Sequence, residues 1–303
     1  MNIVKDTIAE LKALGIRGTL TSYIIAATCT LGGPWTMAYV RYDDGVIGCG
    51  VANNELAVPD DVSFIKPLLN RDAYDVMEAL FAGEKSVFVN SLILSLVSAL
   101  SHRTWEDPVI YGSNGYRIEE VVIPRQPIPE LVRAGDVVVL VGFAAWDVPA
   151  LTGIAREVNV LELEDLKDFK LIDFCPRDSK VKLFPAERSE EVLSRADVVS
   201  ITGQTIVNET IDDILHFSRN ARTRVIYGAT SSFYPKVLFE RGIDASVSIV
   251  FSNTDEFRQQ FADSRGYFYQ IPGVKRFLVV REEPVSKRGC RDTSLPGFGC
   301  PRI

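Results

Sequence analysis

Hydroxyl and amide side chains follow two apolar runs in the C-terminal half of the sequence, DVVSITG and RVIYGA, and each run ends at or next to a glycine. Such groups suit a small polar ligand. Backbone N–H groups at the start of a helix are unpaired and lie at the positive end of its dipole, so they favour an anion or a carboxylate. The candidate ligand-binding residues of these two segments are Gly203, Thr205, Asn208, Thr210, Gly228, Thr230 and Ser231.

The same side chains have a structural alternative. Asn208 or Thr210 would cap the following helix, and Asp212 and Asp213 would complement its dipole without any ligand. The hydroxyl groups after Gly228 would stabilise a turn before the next helix. The sequence alone leaves both alternatives open.

A further candidate position follows the apolar run DVVVLVG, which ends at Gly142. Dinucleotide-binding proteins have G-x-G-x-x-G at this point and an acidic residue about 20 residues later that binds the ribose. Glu162 stands at that distance, but Gly142 is the motif's single glycine and Phe143 would crowd a pyrophosphate. The pattern therefore favours a nucleoside or an S-adenosylmethionine-like ligand over NAD. Phe143 or Trp146 would stack on such a ligand or pack between domains.

Three cysteines are candidate metal ligands, because soft transition metals prefer thiolates. Cys175 lies in the polar segment DFCPRD, where Arg177 would lower its pKa, and Cys290 and Cys300 lie in the C-terminal segment GCRDTSLPGFGC. The alternative is that they are incidental residues of loops. The five cysteines of the chain include no C-x-x-C pair, which is unlike a disulfide framework. Its two histidines exclude a histidine-rich zinc or iron centre.

Composition narrows the class of partner. The 303 residues carry a net charge of -7 without a basic stripe, which argues against nucleic acid. MNIVKDTIAELKALG is typical of an amphipathic helix rather than a signal peptide, and SLILSLVSAL is too short to span a bilayer. We expect a cytoplasmic protein that binds a small polar metabolite or a metal chelate, without a nucleic-acid or membrane partner, and that could form a homo-oligomer.

Two kinds of domain would position these residues. Residues 1–123 favour an α+β domain, with a hairpin turn at Asp43-Asp44-Gly45 and helices over residues 72–81 and 86–101. Residues 124–134 form a proline-rich linker. Asn53, Asn54 and Glu55, just after the hairpin, could face the ligand from the first domain.

Strands and helices then alternate through residues 135–282, which is typical of a mostly parallel α/β domain, and residues 283–303 lack periodicity and predict an extended or disordered arm. Ligands of parallel sheets bind beyond the carboxyl ends of the strands, where the candidate residues fall.

Two runs, ADVVSITGQTIVNETIDDIL and VIYGATSSFYPKVLFERGIDASVS, resemble the family described as putative heavy-metal chelation proteins. The family pattern there is a strand ending in Thr-Gly-Ser-Thr, an Asn-x-Thr that opens a helix, and a Gly-Pro-Ser turn before Pro-x-x-Leu-Phe. The resemblance spans most of residues 136–282. PWTMAYVRYDDGVIGCG is similar to the early hairpin of the family's enolase-N-terminal-like companion domain, which would cover about residues 1–123.

The resemblance implies an enolase-N-terminal-like α+β domain followed by a Rossmann-like, mostly parallel α/β domain, with a ligand in the cleft between them. It also implies heavy-metal chelation or metallo-cofactor metabolism of a corrinoid or metallophore, with a transition metal. The alternative is a nucleotide- or S-adenosylmethionine-dependent enzyme that uses Gly142 and Glu162. The chain departs from the family at Ala229 and Thr230, and at Ser98, where the family has Asn. We therefore expect substrate details to differ.

Overall fold

The structure is a computed structural model that describes residues 2–26, 34–122, 125–142, 147–163, 181–251, 259 and 273–282. Its first part contains a small sheet and the helices that cover it. These elements are α1 (Asn2–Ala13), β1 (Thr19–Ile25), β2 (Trp35–Arg41), β3 (Ile47–Asn53), a 3-10 helix (Ser63–Leu68), α2 (Ala73–Ala82), α3 (Val87–Trp105) and α4 (Pro108–Gly112).

The second part contains a large sheet. Its elements are β4 (Tyr116–Glu120), α5 (Pro127–Glu130), β5 (Val137–Val141), α6 (Val148–Ile154), β6 (Glu157–Glu162), β7 (Val181–Pro185), a 3-10 helix (Ala186–Arg188), α7 (Ser189–Leu193), β8 (Val198–Thr202), α8 (Gln204–Val207), α9 (Ile211–Phe217), β9 (Thr223–Tyr227), a 3-10 helix (Ala229–Ser231), α10 (Lys236–Glu240), β10 (Ala245–Phe251) and β11 (Val274–Arg281).

The small sheet is an antiparallel meander in the order β1-β2-β3, and the predicted Asp-Asp-Gly turn joins β2 to β3. Both faces of β2 are buried, one of them against α3. Strand β3 packs against the same helix, and glycine permits this close contact, because a Cβ atom on Gly50 would lie 2.2 Å from both Ala99 N and Ser95 O of α3. The small sheet is thereby fixed on a buried helix.

That helix, α3, is the one described helix long and apolar enough to cross a membrane by length and composition. Of that apolar stretch, 83% lies buried inside the protein. Its four serine residues are buried, and three of them bond to the backbone of the preceding turn, as Ser95 Oγ does to Leu92 O at 2.9 Å. It is therefore a core helix in this fold.

The large sheet has the order β4-β11-β10-β9-β8-β5-β6-β7. The six strands from β10 to β7 are all paired parallel. When these six are numbered by their position in the chain, from β5 as 1 to β10 as 6, their order across the sheet is 6-5-4-1-2-3. This is the strand order of a Rossmann fold. The direction of winding reverses between β5 and β8, so the ligand crevice of such a sheet is expected at their carboxyl ends.

One strand crosses the predicted domain boundary. β4 precedes the proline-rich segment, yet it pairs antiparallel with β11 at the edge of the large sheet. Within the predicted linker of residues 124–134, the chain forms the short helix α5 over Pro127–Glu130. The boundary itself stays a prediction, and the described residues show that the segment before it contributes one strand to the second sheet.

Candidate functional site

The carboxyl ends of β5 and β8 meet at the point where the winding reverses. Gly142 follows β5 with a φ of +81°, and a Cβ atom there would lie 2.9 Å from Thr202 Cγ2 on β8. The hydroxyl group of Tyr227, which ends β9, donates to Gly142 O at 3.4 Å. The glycine is thus required by the neighbouring strand. Glu162, the last residue of β6, lies at the same edge.

The loops that follow β8 and β9 pack backbone against backbone. A Cβ atom on Gly203 would lie 2.6 Å from Ser231 N and 3.0 Å from Thr230 C. Gly228, with a φ of +102°, adopts a left-handed conformation that favours glycine. Of these two predicted ligand-binding glycines, Gly203 therefore allows the loops to approach each other, and Gly228 allows the turn after β9.

Three predicted ligand-binding hydroxyl groups are buried in these loops and have protein partners. Thr205 Oγ1 donates to Thr202 O at 2.8 Å, and Ser231 Oγ donates to Gly228 O at 3.1 Å. Thr230 Oγ1 accepts from the backbone N–H of Asn53 at 3.1 Å. Through these hydrogen bonds, all three hydroxyl groups stabilise the conformation of the loops.

The first domain covers this edge of the large sheet. Among the polar contacts that cross between the domains are Asn53 N to Thr230 Oγ1 at 3.1 Å, Asn90 Nδ2 to Val207 O at 2.7 Å, and Ser98 Oγ to Ser232 O at 2.6 Å. Ser98 and Thr230, two of the positions where the sequence departs from the family pattern, both take part. The departures therefore fall on the contact that sets the relative position of the two domains.

The segment after β3 reaches the site in a strained conformation. Glu55 and Leu56 have φ angles of 51° and 60°, which non-glycine residues rarely adopt. Asn53 Oδ1 accepts from Glu55 N at 2.7 Å, and Asn54 Oδ1 accepts from Leu56 N at 3.2 Å. Both bonds are Asx-turn interactions that fix the segment. Strain held in this way is frequent at functional sites.

Glu55 brings a carboxylate from the first domain to the loop after β8. Its Oε1 atom accepts from Asn208 Nδ2 at 3.1 Å. Partial burial raises the pKa of Glu55, the negative charge of Glu162 raises it further, and the Asn208 hydrogen bond opposes both effects. The two carboxylates are therefore close enough to repel each other across the end of the large sheet.

The segment after β8 forms two short helices, whereas the sequence predicted one. Glu209, with a φ of 61°, separates α8 from α9, because a left-handed residue cannot continue a right-handed helix. Asn208 Oδ1 accepts from Thr210 Oγ1 at 2.8 Å, and the side chain of Thr210 makes no capping bond to α9. Of the two predicted capping residues, Thr210 therefore stands at the N-cap of α9 without capping it through its side chain, and Asn208 Oδ1 accepts from Thr210 N at 3.4 Å. The carboxylate of Glu55 beside Asn208 also makes this position favour a cation over the predicted anion.

Asp147 stands at the N-cap position of α6, and its side chain makes no capping hydrogen bond. It is 3% exposed. Burial raises the pKa of Asp147 to about 6, and the positive charge of Arg276 opposes the shift. An acid in this place is unfavourable for a phosphate at the start of α6.

Several sequence candidates lie outside the described residues, namely Phe143, Trp146, Cys175, Arg177, Cys290 and Cys300. Among the described residues no three His, Cys, Asp or Glu side chains come together as a metal site. Cys49 is buried in the small sheet. From the sequence, Glu55 was named only as a residue that could face the ligand, and Asp147 was given no part in a site. The Asn-Asn-Glu run after a glycine-rich strand was the available signal for Glu55, and nothing local distinguished Asp147.

Asn208→Ala should lower the free energy of unfolding by about 1 kcal/mol at neutral pH, because a hydrogen bond to a carboxylate is lost. The loss should shrink towards pH 4.5. Without Asn208 the pKa of Glu55 rises further above its ordinary value of 4.5. A raised pKa in the folded state destabilises the protein as the pH rises above that ordinary value, so the effect of the substitution grows with pH. Urea denaturation across this pH range measures both effects.

Asn90→Ala is the matched control, because Asn90 Nδ2 makes a comparable interdomain bond to Val207 O without touching Glu55. The decrease in the free energy of unfolding caused by Asn90→Ala should be nearly independent of pH over the same range. Equal pH profiles for the two variants would show that Asn208 does not control the ionisation of Glu55.

Comparison with known proteins bears on the fold and on the family. Residues 128–275 match the model of a family described as "Putative heavy-metal chelation". A protein of unknown function from this family in Pyrococcus horikoshii is 16% identical, with a TM-score of 0.64 over 92% of this chain and 99% of that one. Another, from Desulfitobacterium hafniense, is 18% identical, with a TM-score of 0.62 over 92% and 98%.

No curated protein matches the chain. At these identities the two solved structures establish the fold. The predicted fold class, an α+β domain followed by a Rossmann-like and mostly parallel α/β domain, is confirmed.

Proposed function

Because this chain belongs to the family described as putative heavy-metal chelation, we propose that it binds a small, positively charged metal chelate at the carboxyl ends of β5, β6 and β8, in the cytoplasm. One observation carries the proposal. Glu55 of the first domain and Glu162 of β6 both bring a carboxylate to this edge of the sheet, and the negative charge of Glu162 raises the pKa of Glu55. A bound cation would compensate both charges.

The donor atoms at this position fit a metal only in part. Glu55, Glu162, Gln204 and Asn208 offer carboxylate and amide oxygens, which suit hard cations, whereas soft heavy metals prefer sulfur. Two acidic side chains do not complete a coordination sphere. They do supply the charge that a metal ion already held by an organic chelator would need.

The surroundings suit the organic part of such a chelate. Asn208 Nδ2 and the backbone N–H of Leu163 already hold one oxygen each of Glu55 and Glu162, at 3.1 and 2.9 Å, which orients the two carboxylates. Leu56 and Leu163, the residues next to the two acids, are 54% and 62% exposed. A ligand with a charged centre and an apolar periphery would contact both kinds of group.

Calorimetric titration tests this proposal. We expect weak or no binding of Ni²⁺, Co²⁺, Cu²⁺ or Fe²⁺ alone, binding when a neutral polyamine chelator keeps the complex cationic, and none when EDTA makes it anionic. Glu55→Gln and Glu162→Gln should each weaken binding about tenfold, the scale of one charged contact.

Glu157→Gln is the control for these variants. Glu157 begins the same strand β6 at its other end, where it lies 3.2 Å from Lys182. Its replacement should leave chelate affinity unchanged. Equal binding of cationic and anionic chelates, or full affinity in Glu55→Gln, would reject the proposal.

A second candidate function has its own support. Glu162 ends the second strand of the Rossmann order, the position from which an acid binds ribose hydroxyl groups. The buried Asp147 at the start of α6 disfavours a pyrophosphate, so the ligand would be a nucleoside or S-adenosylmethionine rather than NAD. Thermal-shift measurement with these ligands tests it, because a ligand at 100 times its dissociation constant stabilises by about 2.7 kcal/mol. No shift with either adenosine or S-adenosylmethionine would remove this candidate.

A further inference from the structure

Strand β4 is one edge of the large sheet. Among the described residues it pairs with β11 on one side and with no strand on the other. Just after β4, Val121 N donates to Arg276 O of β11 at 2.8 Å, so Val121 and every second residue before it direct their backbone groups towards β11. The residues between them direct theirs the opposite way. The outward N–H and C=O groups of β4 therefore belong to Tyr116, Ile118 and Glu120.

The charged side chains of β4 are complementary to those of a second β4. An open strand edge is a template for pairing with another chain, and charges of one sign would repel a copy of themselves. Arg117 and Glu119 instead carry opposite charges on one face of the strand, with Arg117 Nη1 3.0 Å from Glu119 Oε2. When two copies of β4 run antiparallel with Ile118 opposite Ile118, Arg117 of each copy faces Glu119 of the other.

The backbone and the charges select the same register. Outward backbone groups meet only when Tyr116, Ile118 and Glu120 lie opposite one another, so the antiparallel registers that pair most of the strand are centred on Arg117, Ile118 or Glu119. A centre at Arg117 or at Glu119 places two like charges directly opposite each other, which is destabilising. The centre at Ile118 places opposite charges in the closer, non-hydrogen-bonded pairs, and it aligns the outward groups of Tyr116 with those of Glu120.

Exposed apolar side chains flank this edge. Val109 and Val122, both 72% exposed, are the two most exposed large apolar side chains in the part of the chain that the structure describes. Val122 follows β4, and Val109 lies on α4, which contacts β4. In the register centred on Ile118, Val122 lies opposite Asn114 of the second copy, two residues after its α4. A second copy would therefore remove apolar surface from water at both ends of the strand pair.

We propose that the protein forms a dimer in which a second copy of this chain adds its β4 antiparallel to the first, about a twofold axis at Ile118. The two eight-stranded sheets then join into one continuous sheet. In such a symmetric interface every favourable contact occurs twice. The inference goes beyond the proposed function, because four strands separate β4 from β5 and the candidate site in the sheet.

Sedimentation velocity and amide hydrogen exchange on the full chain test the dimer. We expect a dimer at about 100 µM, and in it the amides of Tyr116, Ile118 and Glu120 should exchange at least about tenfold more slowly than in a monomeric variant. The amides of Arg117 and Glu119, which already face β11, should change little. A monomer at this concentration, or a dimer whose outward amides exchange as fast as those of the monomer, would overturn the inference.

Charge reversal supplies the monomeric variants. The Arg117→Glu chain has acids at both positions and the Glu119→Arg chain has bases at both, so each should associate with itself at least about tenfold more weakly than the parent. Mixing the two variants should form a heterodimer, because opposite charges again face each other. The double variant Arg117→Glu, Glu119→Arg should dimerise as the parent does. A misfolded chain would not be restored by mixing, so this arm separates loss of pairing from loss of the fold.

Arg188→Glu is the matched control, because it breaks a comparable surface pair, 2.6 Å from Glu191, on α7 and the turn before it. Its self-association should equal that of the parent. Single variants of Arg117 and Glu119 that dimerise as the parent does, or that stay monomeric after mixing, would overturn the pairing of β4 with β4. Chelate binding is measured separately, so a monomeric protein that binds the chelate would reject this interface and leave the proposed function standing.

Discussion

Gly203→Ala should lower the free energy of unfolding by about 3 kcal/mol, the upper part of the range for overpacking. The added Cβ atom would lie 2.6 Å from Ser231 N and 3.0 Å from Thr230 C, and both are backbone atoms of a buried turn that cannot rotate away. The backbone of Gly203 has a φ of -61°, which alanine adopts without strain. The expected effect is therefore steric, and chemical denaturation measures it.

Gly153→Ala is the matched control, because Gly153 lies inside helix α6 and a Cβ atom there meets nothing within 4 Å. Alanine in a helix interior should raise stability by about 0.5 to 1 kcal/mol. The loop separation that Gly203→Ala forces should also move Thr230 away from Asn53 and so weaken chelate binding. A Gly203→Ala protein as stable as its parent would contradict the close packing of the two loops.

Asp147→Asn should stabilise the protein by about 2 to 3 kcal/mol at pH 8. The pKa of Asp147 is raised from 3.8 to about 6, so folding favours its protonated form. A group with a raised pKa in the folded state stabilises the protein at a pH below its pKa in the unfolded state. That stabilisation is lost as the pH rises through its pKa in the folded state. The amide of asparagine does not ionise, so the variant keeps this stability at high pH. The advantage of the variant should therefore appear between about pH 4 and pH 6 and stay constant above.

Asp244→Asn separates this effect from the general removal of a buried acid. Burial also raises the pKa of Asp244, but its carboxylate accepts from Arg224 N at 2.8 Å. Its replacement loses that hydrogen bond to an ionised acceptor and should not stabilise at pH 8. Denaturation midpoints of both variants across pH 4 to 8 decide the matter. An Asp147→Asn protein less stable than its parent at pH 8 would mean that the carboxylate has a partner in solution.

Local sequence patterns predicted the large elements because each pattern matches its environment. β5 is apolar at every position since both of its faces are buried, and α3 is apolar nearly all round since it lies in the core. The Asp-Asp-Gly turn after Tyr42 was equally predictable, because Gly45 takes the left-handed conformation that this turn needs. The alternation of strands and helices predicted a mostly parallel α/β domain, and the family resemblance implied that this domain is Rossmann-like, which the strand order confirms.

The site was less predictable because its contacts join residues far apart in the chain. Thr230 bonds to Asn53 and Asn208 bonds to Glu55 across more than 150 positions, and no local pattern encodes either pair. Polar residues after a strand look alike whether they bind a ligand or another loop, so Thr205 and Ser231 could not be assigned. The left-handed Glu209, which divides the predicted helix in two, is a non-glycine exception that propensity does not reveal.

The most direct test of the central claim is an anomalous difference map from crystals grown with a cationic nickel–polyamine complex. We expect one strong nickel peak between the carboxylates of Glu55 and Glu162, and its loss in crystals of the Glu55→Gln, Glu162→Gln double variant grown under the same conditions. A peak elsewhere in the protein, or one that survives in the double variant, would contradict binding of the chelate at the carboxyl ends of β5, β6 and β8.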